Sequence, residues 1–583
     1  MINSAISLKP ESWKVEKIAV IGPGIVGMPM AALLAYSRIK IGTDAPARVV
    51  VVQRDSPGSG WKVNAINSGR SVIGGIEPGL DEITAAAAGD GLLTASHDFA
   101  DLSDADVVLI SVQTDKKGFE PDYGPLFGAL ENLAEALANK PKGKIPLIIF
   151  ESTLAPTTMD TLIREYFRKY GLVDGRDILL GNSPNRVMPG RLVERIVKSD
   201  KLAGGLHPDT PGLIERLYSH IVREGKIFKT NSLSAEIVKT LENAYRDVRI
   251  AFSSEIARYC DENDIDFYQV RDAVNSRLAQ SDDASSDPNA VPSGGILIPM
   301  LGVGGHCLPK DGILLWWRKM GDERTASGSL ILQSRLINDD SPVVTWEHAC
   351  RRFEGLDGAQ VALLGTAYRF NSEDTRNSPT LSLANYLRER RVKYIMHDPY
   401  VKADDQNILK FDQAANFTTD LDRAIENADY IFMCTAHRDY MENAGKIVSA
   451  ERLKGVMDAC NLYDSEFFEQ FNLQYAGIGR GRRKPDEEFI GFVYDSFRIM
   501  ERGLANELSG LIDFYNANFA SDDYNSVAFK VVQQLAATCS TGCYIADPGV
   551  IESVPEYMGF KSSLVIKARE NNPVVKSSSK INN

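Results

Sequence analysis

The 583-residue chain is 44% hydrophobic and 25% charged, an ordinary globular composition that is too long for one typical domain and implies two to four. Its 65 Lys and Arg against 78 Asp and Glu leave a formal net charge of -13, a sign that opposes an electrostatic grip on nucleic-acid phosphates or anionic lipid. No apolar run approaches the roughly 18 residues needed to span a bilayer, and the opening MINSAISLKPESWKVEK lacks the apolar core of a signal peptide, so a cytoplasmic protein without nucleic-acid or membrane partners is expected.

Residues 17–35, KIAVIGPGIVGMPMAALLA, read as an apolar strand, a glycine-rich turn and a helix opening with small residues, the start of a βαβ unit. Strand candidates follow at residues 48–53, 106–112 and 145–150, separated by helix-length stretches. Such alternation predicts a parallel, doubly wound α/β sheet. The glycines Gly22, Gly24 and Gly27 follow the strand directly: the first permits the tight turn, the second lets amides reach a pyrophosphate, and the third lets helix and strand pack closely. With Ile25 and Val26 between them, and Thr114 after a later strand, they form the expected dinucleotide site. An acidic ribose reader is missing, because the second strand ends Gln53, Arg54, Asp55. Arg54 suits the extra phosphate of NADP, which leaves NADP open beside NAD.

Three later segments carry polar residues in loop settings. In residues 151–158, ESTLAPTT, the hydroxyls serve equally a ligand at a strand end or the cap of the next helix. In residues 183–191, SPNRVMPGR, two prolines and a glycine imply a rigid loop, where Arg186 and Arg191 serve either an anionic ligand or surface solvation. Residues 232–263 show one long helical period, with Ile237, Leu241, Val248, Phe252, Ile256 and Tyr259 as an apolar stripe. About 30 residues at 1.5 Å each make a rod of roughly 45 Å, suited to a domain connector or a dimer interface. Lys239 and Asn243, spaced i,i+4, share the face turned away from that stripe, and spacing alone favours a solvated polar face. Residues 279–295, rich in Ser, Asp, Pro and Gly, read as a loop.

The stretch 301–312, LGVGGHCLPKDG, sets Cys307, His306, Lys310 and Asp311 among glycines. A thiol in such a loop is accessible and open to activation by neighbouring positive charge, which marks Cys307 as a candidate nucleophile. The seven cysteines are odd in number and scattered, so neither a disulfide framework nor a zinc site is expected, and no metal is assigned. A second α/β pattern begins near residue 360: QVALLGTAY, RVKYIMHDPY, DYIFMCTAH, GVMDAC. Only Gly365 remains of a glycine turn there, so this half reads as Rossmann-like without the dinucleotide fingerprint. Residues 489–516 have helical periodicity, and the end, KSSSKINN, reads as disordered.

Together these motifs resemble the UDP-glucose/GDP-mannose dehydrogenase family of nucleotide-sugar dehydrogenases, over residues 15–483 and in the family's order. They are GPGIVG, IEPGL (76–80), ESTLAP, SPNRVMPG, the helix with Lys239 and Asn243, GVGGHCLPKD, TAYRFNSEDTRNSP (366–379), HDPY (397–400) and YAGIGR (475–480). The resemblance implies four parts: an NAD(P)-binding Rossmann domain in 1–228; a central helical connector and dimerisation domain with the Cys loop in 229–340; a UDP-sugar-binding Rossmann-like domain in 341–483; and a C-terminal extension of unassigned role in 484–583. It implies a four-electron oxidation of a sugar 6-hydroxymethyl group by two NAD molecules in sequence. Cys307 would form a thiohemiacetal and then a thioester, Lys239 and Asn243 would stabilise oxyanions, Asp311 would orient Lys239 or a water, and Thr153 would lie near that water. Asn185, Arg186, Val187, Lys239, Asn243, Gly304, Tyr368 and Arg369 match substrate-binding positions, and a homodimer is implied.

Three departures stand out. Asn185 replaces the family's Glu and cannot take a proton, so hydrolysis would be slowed, use Glu151 or Asp311, or be absent. Asp458 is followed by Ala459 and Cys460, which removes one family cation, and Gln53-Arg54 replaces the acidic reader. The His of GGHC and the R-V-x-P-G loop are more like members acting on UDP-N-acetylhexosamines, so UDP-GlcNAc or UDP-ManNAc is the expected substrate. UDP-glucose oxidation, a variant stopping at the 6-aldehyde, a two-electron hydroxyacid-type dehydrogenase and a non-catalytic nucleotide-sugar-binding protein stay as alternatives.

Overall fold

Short runs of β-branched and aliphatic residues form the strands, because such side chains fit a pleated surface covered on both faces. The computed structural model describes residues 12–74, 76–187, 189–283, 285–320, 328–356, 358–539 and 543–572. The KSSSKINN end lies outside them. The chain divides into two units: the described residues of Met1–Glu242, Leu314–Lys319 and Leu511–Thr541 form the first, and those of Asn243–Ile313, Met320–Gly510 and Gly542–Asn583 the second.

The first unit holds β1 (Lys17–Ile21), β2 (Arg48–Val52), β3 (Leu93–Ser96), β4 (Val107–Ile110), a small hairpin β5 (Asp115–Lys117) and β6 (Glu120–Asp122), then β7 (Leu147–Phe150), β8 (Leu179–Asn182), β9 (Lys201–Gly205) and β10 (Ile227–Asn231). Eight of them make one sheet in the order β10-β9-β8-β7-β4-β1-β2-β3. Every neighbouring pair is parallel except β8 and β9. The order reverses beside β1, the switch point at which open α/β sheets place their ligands. Apolar clusters cover both faces. Val20, Val49 and Leu109 point into one, and Ala19, Val50 and Val108 into the other. Each fully buried aliphatic side chain contributes about 1.5–3 kcal/mol. The helix after β1, α1 (Gly27–Tyr36), is buried along nearly all its length.

The helix α2 (Ser232–Glu262) follows the predicted stripe, with Ile237, Leu241, Val248, Phe252 and Ile256 all at 0% exposure. It is followed by α3 (Phe267–Asp283), which corrects the loop expected from residue 279: the buried series Val270, Val274 and Leu278 continues to Ala279, so helical periodicity outlasts the polar composition. Then come α4 (Leu308–Trp316) and α5 (Leu330–Arg352). In the second unit β11 (Gln360–Leu364), β12 (Lys393–His397), β13 (Phe417–Thr418), β14 (Tyr430–Met433), β15 (Gly455–Asp458) and β16 (Gln474–Gly477) make an all-parallel sheet ordered β13-β12-β11-β14-β15-β16.

Beyond it, α6 (Glu487–Phe519) extends the helix predicted for 489–516. Within the second unit its Phe489 and Phe497 pack on Tyr259 and Phe252 of α2. Its Glu507 caps α5, accepting from Ser329 Oγ at 2.5 Å and the Leu330 amide at 2.7 Å. A last helix, α7 (Ser563–Glu570), is tied to α2 where the Ser563 amide donates to Glu255 at 2.6 Å. Among the described residues no helix is long and apolar enough to cross a membrane.

Candidate active site

In the first unit the glycine turn is closed at two points and open at one. Gly22 sits at φ +90° with its amide on the Val52 carbonyl, and a Cβ added to Gly27 would lie 2.1 Å from the Gly22 carbonyl oxygen. At Gly24 the same addition meets nothing within 4 Å. The chain is therefore tight where strand and helix must touch and open where a pyrophosphate would approach, so these residues fit a dinucleotide. Ile25 and Val26 are partly buried against the core below. Gln53 directly follows β2, and its side-chain amide donates to the Arg54 carbonyl and Ser59 Oγ. Thr114 is buried and its hydroxyl donates to the Thr153 carbonyl at 2.7 Å.

Asn185 belongs to a buried polar cluster at the same carboxyl edge of the sheet. The Glu151 carboxylate, fully enclosed after β7, accepts from Lys201 Nζ at 2.9 Å, from Tyr218 and from the Asn185 amide. Lys201 Nζ also donates to Asn185 Oδ1 at 3.1 Å and to the Ser183 carbonyl at 2.9 Å. Burial favours the neutral forms, pushing Glu151 up and Lys201 down, against the pair's attraction and the Tyr218 and Asn185 hydrogen bonds. The Asn185 side chain thus lies between a carboxylate and an ammonium that fix which way its amide points. Arg186 grips the Glu242 carboxylate with Nε at 2.7 and 2.9 Å and Nη2 at 2.6 Å, so its principal contact in the protein is an internal ion pair rather than solvent. Val187 packs partly buried on the core, and the Glu77 carboxylate of IEPGL holds the Gly190 amide at 2.5 Å. Lys239 is only 7% exposed, which corrects the solvated face that spacing favoured: α2 is covered on more sides than its apolar stripe.

In the second unit Cys307 is exposed and occupies the N-cap of α4, its carbonyl accepting the Lys310 and Asp311 amides at 3.1 and 2.9 Å. A thiol at a helix N-terminus is placed where its thiolate is favoured. Asp311 is fully buried. Its Oδ2 accepts from Asn243 Nδ2 at 2.6 Å, while Oδ1 has no hydrogen-bond partner among the described residues and lies 3.9 Å from the buried Lys310 ammonium. His306 Nε2 lies 3.3 Å from the same ammonium.

The two most specific sequence motifs meet here. The Gly305 amide donates to the Arg376 carbonyl at 2.8 Å, and Asn377 Nδ2 returns a bond to the Gly305 carbonyl at 2.9 Å. A Cβ on Gly304 would reach 2.4 Å from Tyr368 Cβ, and one on Gly305, at φ +88°, 2.8 Å from the Tyr368 ring. Both glycines are required by this close approach. Arg376, held by Asp374 in a two-pronged pair, and Tyr368 interact electrostatically with Cys307. Arg369 lies over the Phe370 ring at 5.5 Å. Sequence reasoning had not singled out Lys201, Tyr218, Glu242 or Arg376. Each is an ordinary residue in its own window, and only Arg376 carried a signal, its place in the DTRNSP segment.

The chain matches three models of one family: the UDP-glucose/GDP-mannose dehydrogenase NAD binding domain over residues 16–222, the central domain over 233–340 and the UDP binding domain over 362–465. It is similar to the UDP-N-acetyl-D-mannosamine dehydrogenase of Pyrococcus horikoshii, 31% identical over 474 residues, which cover 80% of this chain and 99% of the relative. The enzyme of that name from Methanococcus aeolicus is 29% identical, covering 81% and 98%. Among solved structures, the NDP-N-acetyl-D-galactosaminuronic acid dehydrogenase of Methanosarcina mazei aligns with a TM-score of 0.67 at 30% identity, over 80% of this chain and 96% of that one. The P. horikoshii UDP-D-ManNAc dehydrogenase structure aligns with a TM-score of 0.65 at 30% identity, over 80% and 99%.

Proposed function

Because the chain belongs to the UDP-glucose/GDP-mannose dehydrogenase family, we propose that it oxidises the 6-hydroxymethyl group of a UDP-N-acetylhexosamine, UDP-ManNAc or UDP-GlcNAc, to a carboxylate in two dinucleotide-dependent steps through Cys307. The observation that carries the reading is the Gly304–Gly305 loop clasped by Tyr368, Arg376 and Asn377, with Cys307 exposed at the head of α4 beside it. The names of the relatives favour UDP-ManNAc.

When bound, the dinucleotide supplies a hydride acceptor at each oxidation, and Gly22, Gly24 and Gly27 would hold its pyrophosphate. The Cys307 thiolate adds to the C6 aldehyde to give a thiohemiacetal, whose oxidation leaves a thioester that water cleaves to the acid and the free thiol. The positive end of α4 favours that thiolate. Asn243, fixed by Asp311, presents an oriented amide to the developing oxyanion, and Lys239, four residues earlier on α2, supplies a cation. Asp311, with one carboxylate oxygen lacking a hydrogen-bond partner among the described residues, serves proton transfer. Asn185 fills the substrate loop with a fixed amide, and Arg186 holds that loop through Glu242. Tyr368 and Arg369 serve the UDP-sugar.

A second reading rests on Asn185, whose amide is engaged by Glu151 and Lys201 and cannot take up a proton as a general base: oxidation stops at the 6-aldehyde. The purified chain with UDP-ManNAc, UDP-GlcNAc or UDP-glucose decides between them. Two dinucleotides reduced per sugar and a uronate mass support full oxidation, one and an aldehyde mass the second reading, and binding without reduction overturns both. The reading extends to a cytoplasmic homodimer. Exposed Leu336 and Met300 line a cleft of about 500 Å³ beside α2, and light scattering on the full chain tests the pairing.

A further inference from the structure

We infer that the ribose end of the dinucleotide site is built for a 2′-phosphate, so that the protein binds NADP more tightly than NAD. The inference rests on the dinucleotide-site reading above and concerns residues 53–62.

The position is set by the sheet. β1 and β2 pair in register up to Ile21 and Val52, and the Gly22 amide bonds the Val52 carbonyl. Gln53, the next residue, therefore stands beside the glycine turn, where a carboxylate would accept the two ribose hydroxyls of NAD. Gln53 offers no carboxylate, and its side-chain amide is turned to the Arg54 carbonyl at 3.1 Å and Ser59 Oγ at 3.0 Å. That bond draws Ser59 toward the strand end, and Ser59 Oγ lies 2.6 Å from Ser56 Oγ. Two hydroxyls are thus held side by side.

The Asp55 carboxylate, next but one after Gln53, leans toward Gly60, where an added Cβ would come 2.5 Å from its Oδ1. Turn bonds from the Ser59 and Gly60 amides to the Ser56 carbonyl, at 3.1 and 2.8 Å, close the loop between them. Two cations remain. Arg54 is exposed, Lys62 is half-buried, and among the described residues neither is paired with a carboxylate. Paired hydroxyls, a planar cation and a lysine are the donor set that a phosphate monoester takes, and a donor set poorly suited to an unphosphorylated ribose diol.

The test is equilibrium binding to the full chain without sugar, followed by calorimetry and by fluorescence of Trp61, which is 53% exposed in the same segment. The probes are NADP, NAD, and the fragments 2′,5′-ADP and 5′-AMP. NADP is expected to bind at least tenfold tighter than NAD, and 2′,5′-ADP tighter than 5′-AMP. Arg54→Ala is expected to cost NADP tenfold or more and NAD less than twofold, and Gln53→Asp to reverse the preference. Equal or tighter NAD binding, or an R54A loss shared by both dinucleotides, overturns the inference. If no dinucleotide or fragment binds, the dinucleotide site itself is wrong. If NAD alone binds and supports sugar oxidation, the proposed function stands and only the 2′-phosphate reading fails.

Discussion

Asn243 on α2 donates to the Oδ2 of Asp311 on α4 at 2.6 Å, joining two residues 68 positions apart within one turn of the exposed Cys307. The bond fixes the Asn243 amide on a carboxyl group that is itself fully buried. Asp311→Asn keeps one acceptor oxygen but removes the carboxylate, which loosens the hold on the Asn243 amide and takes away the proton-transfer group. We expect kcat to fall by about 10²–10³ with KM for the UDP-sugar changed less than threefold, read by steady-state kinetics. A loss confined to KM would place Asp311 in substrate binding instead.

The Tyr368 ring closes over Gly305, which is held at φ +88°. Gly305→Ala forces a methyl to 2.8 Å from that ring and strains the backbone. The expected result is a loss of about 1–3 kcal/mol in stability and tenfold or more in kcat/KM. Adding Tyr368→Ala relieves the contact but not the φ strain, so a double-mutant cycle should recover part of the stability.

Lys201 neutralises Glu151 inside the first unit. Lys201→Met leaves that carboxylate buried beside Tyr218 and Asn185 with no cation, which costs about 3–5 kcal/mol. Adding Glu151→Gln should return part of it. Thermal unfolding of the single and double variants measures the pair, and additive losses would show that the two are uncoupled.

On α6, Glu501 is 3% exposed, and burial raises its pKa to about 7 against the pull of Arg498 at 3.2 Å. A carboxyl raised in the fold contributes stability that is present below its unfolded pKa of about 4.3 and is lost as pH rises through about 7. Glu501→Gln should therefore match the parent near pH 4.5 and exceed it by up to about 3 kcal/mol at pH 8. Calorimetric unfolding at both values checks the sign, and a variant less stable at pH 8 would show Glu501 ionised and paired.

Much of this was legible in the chain itself. The glycine turn, the alternation of strands and helices and the Cys loop each lie within a short window, where turn chemistry and periodicity act locally. Composition misled at residues 279–283, where polar residues continue a helix, and spacing misled at Lys239, because a helix covered on several sides buries its polar face too. The antiparallel pairing of β8 with β9 left no local mark.

Residue types at fixed local spacing were enough to identify the family and to single out Cys307, Asn243 and Asp311 as candidates within its motifs. The partners of the remaining polar residues emerge only when the chain is folded. Glu151 meets Lys201 across 50 positions, Arg186 meets Glu242 across 56, and Gly305 meets Asn377 across 72. Such partners are chosen by strand order and by the high cost of burying a charge alone, and neither is written in any one stretch of chain.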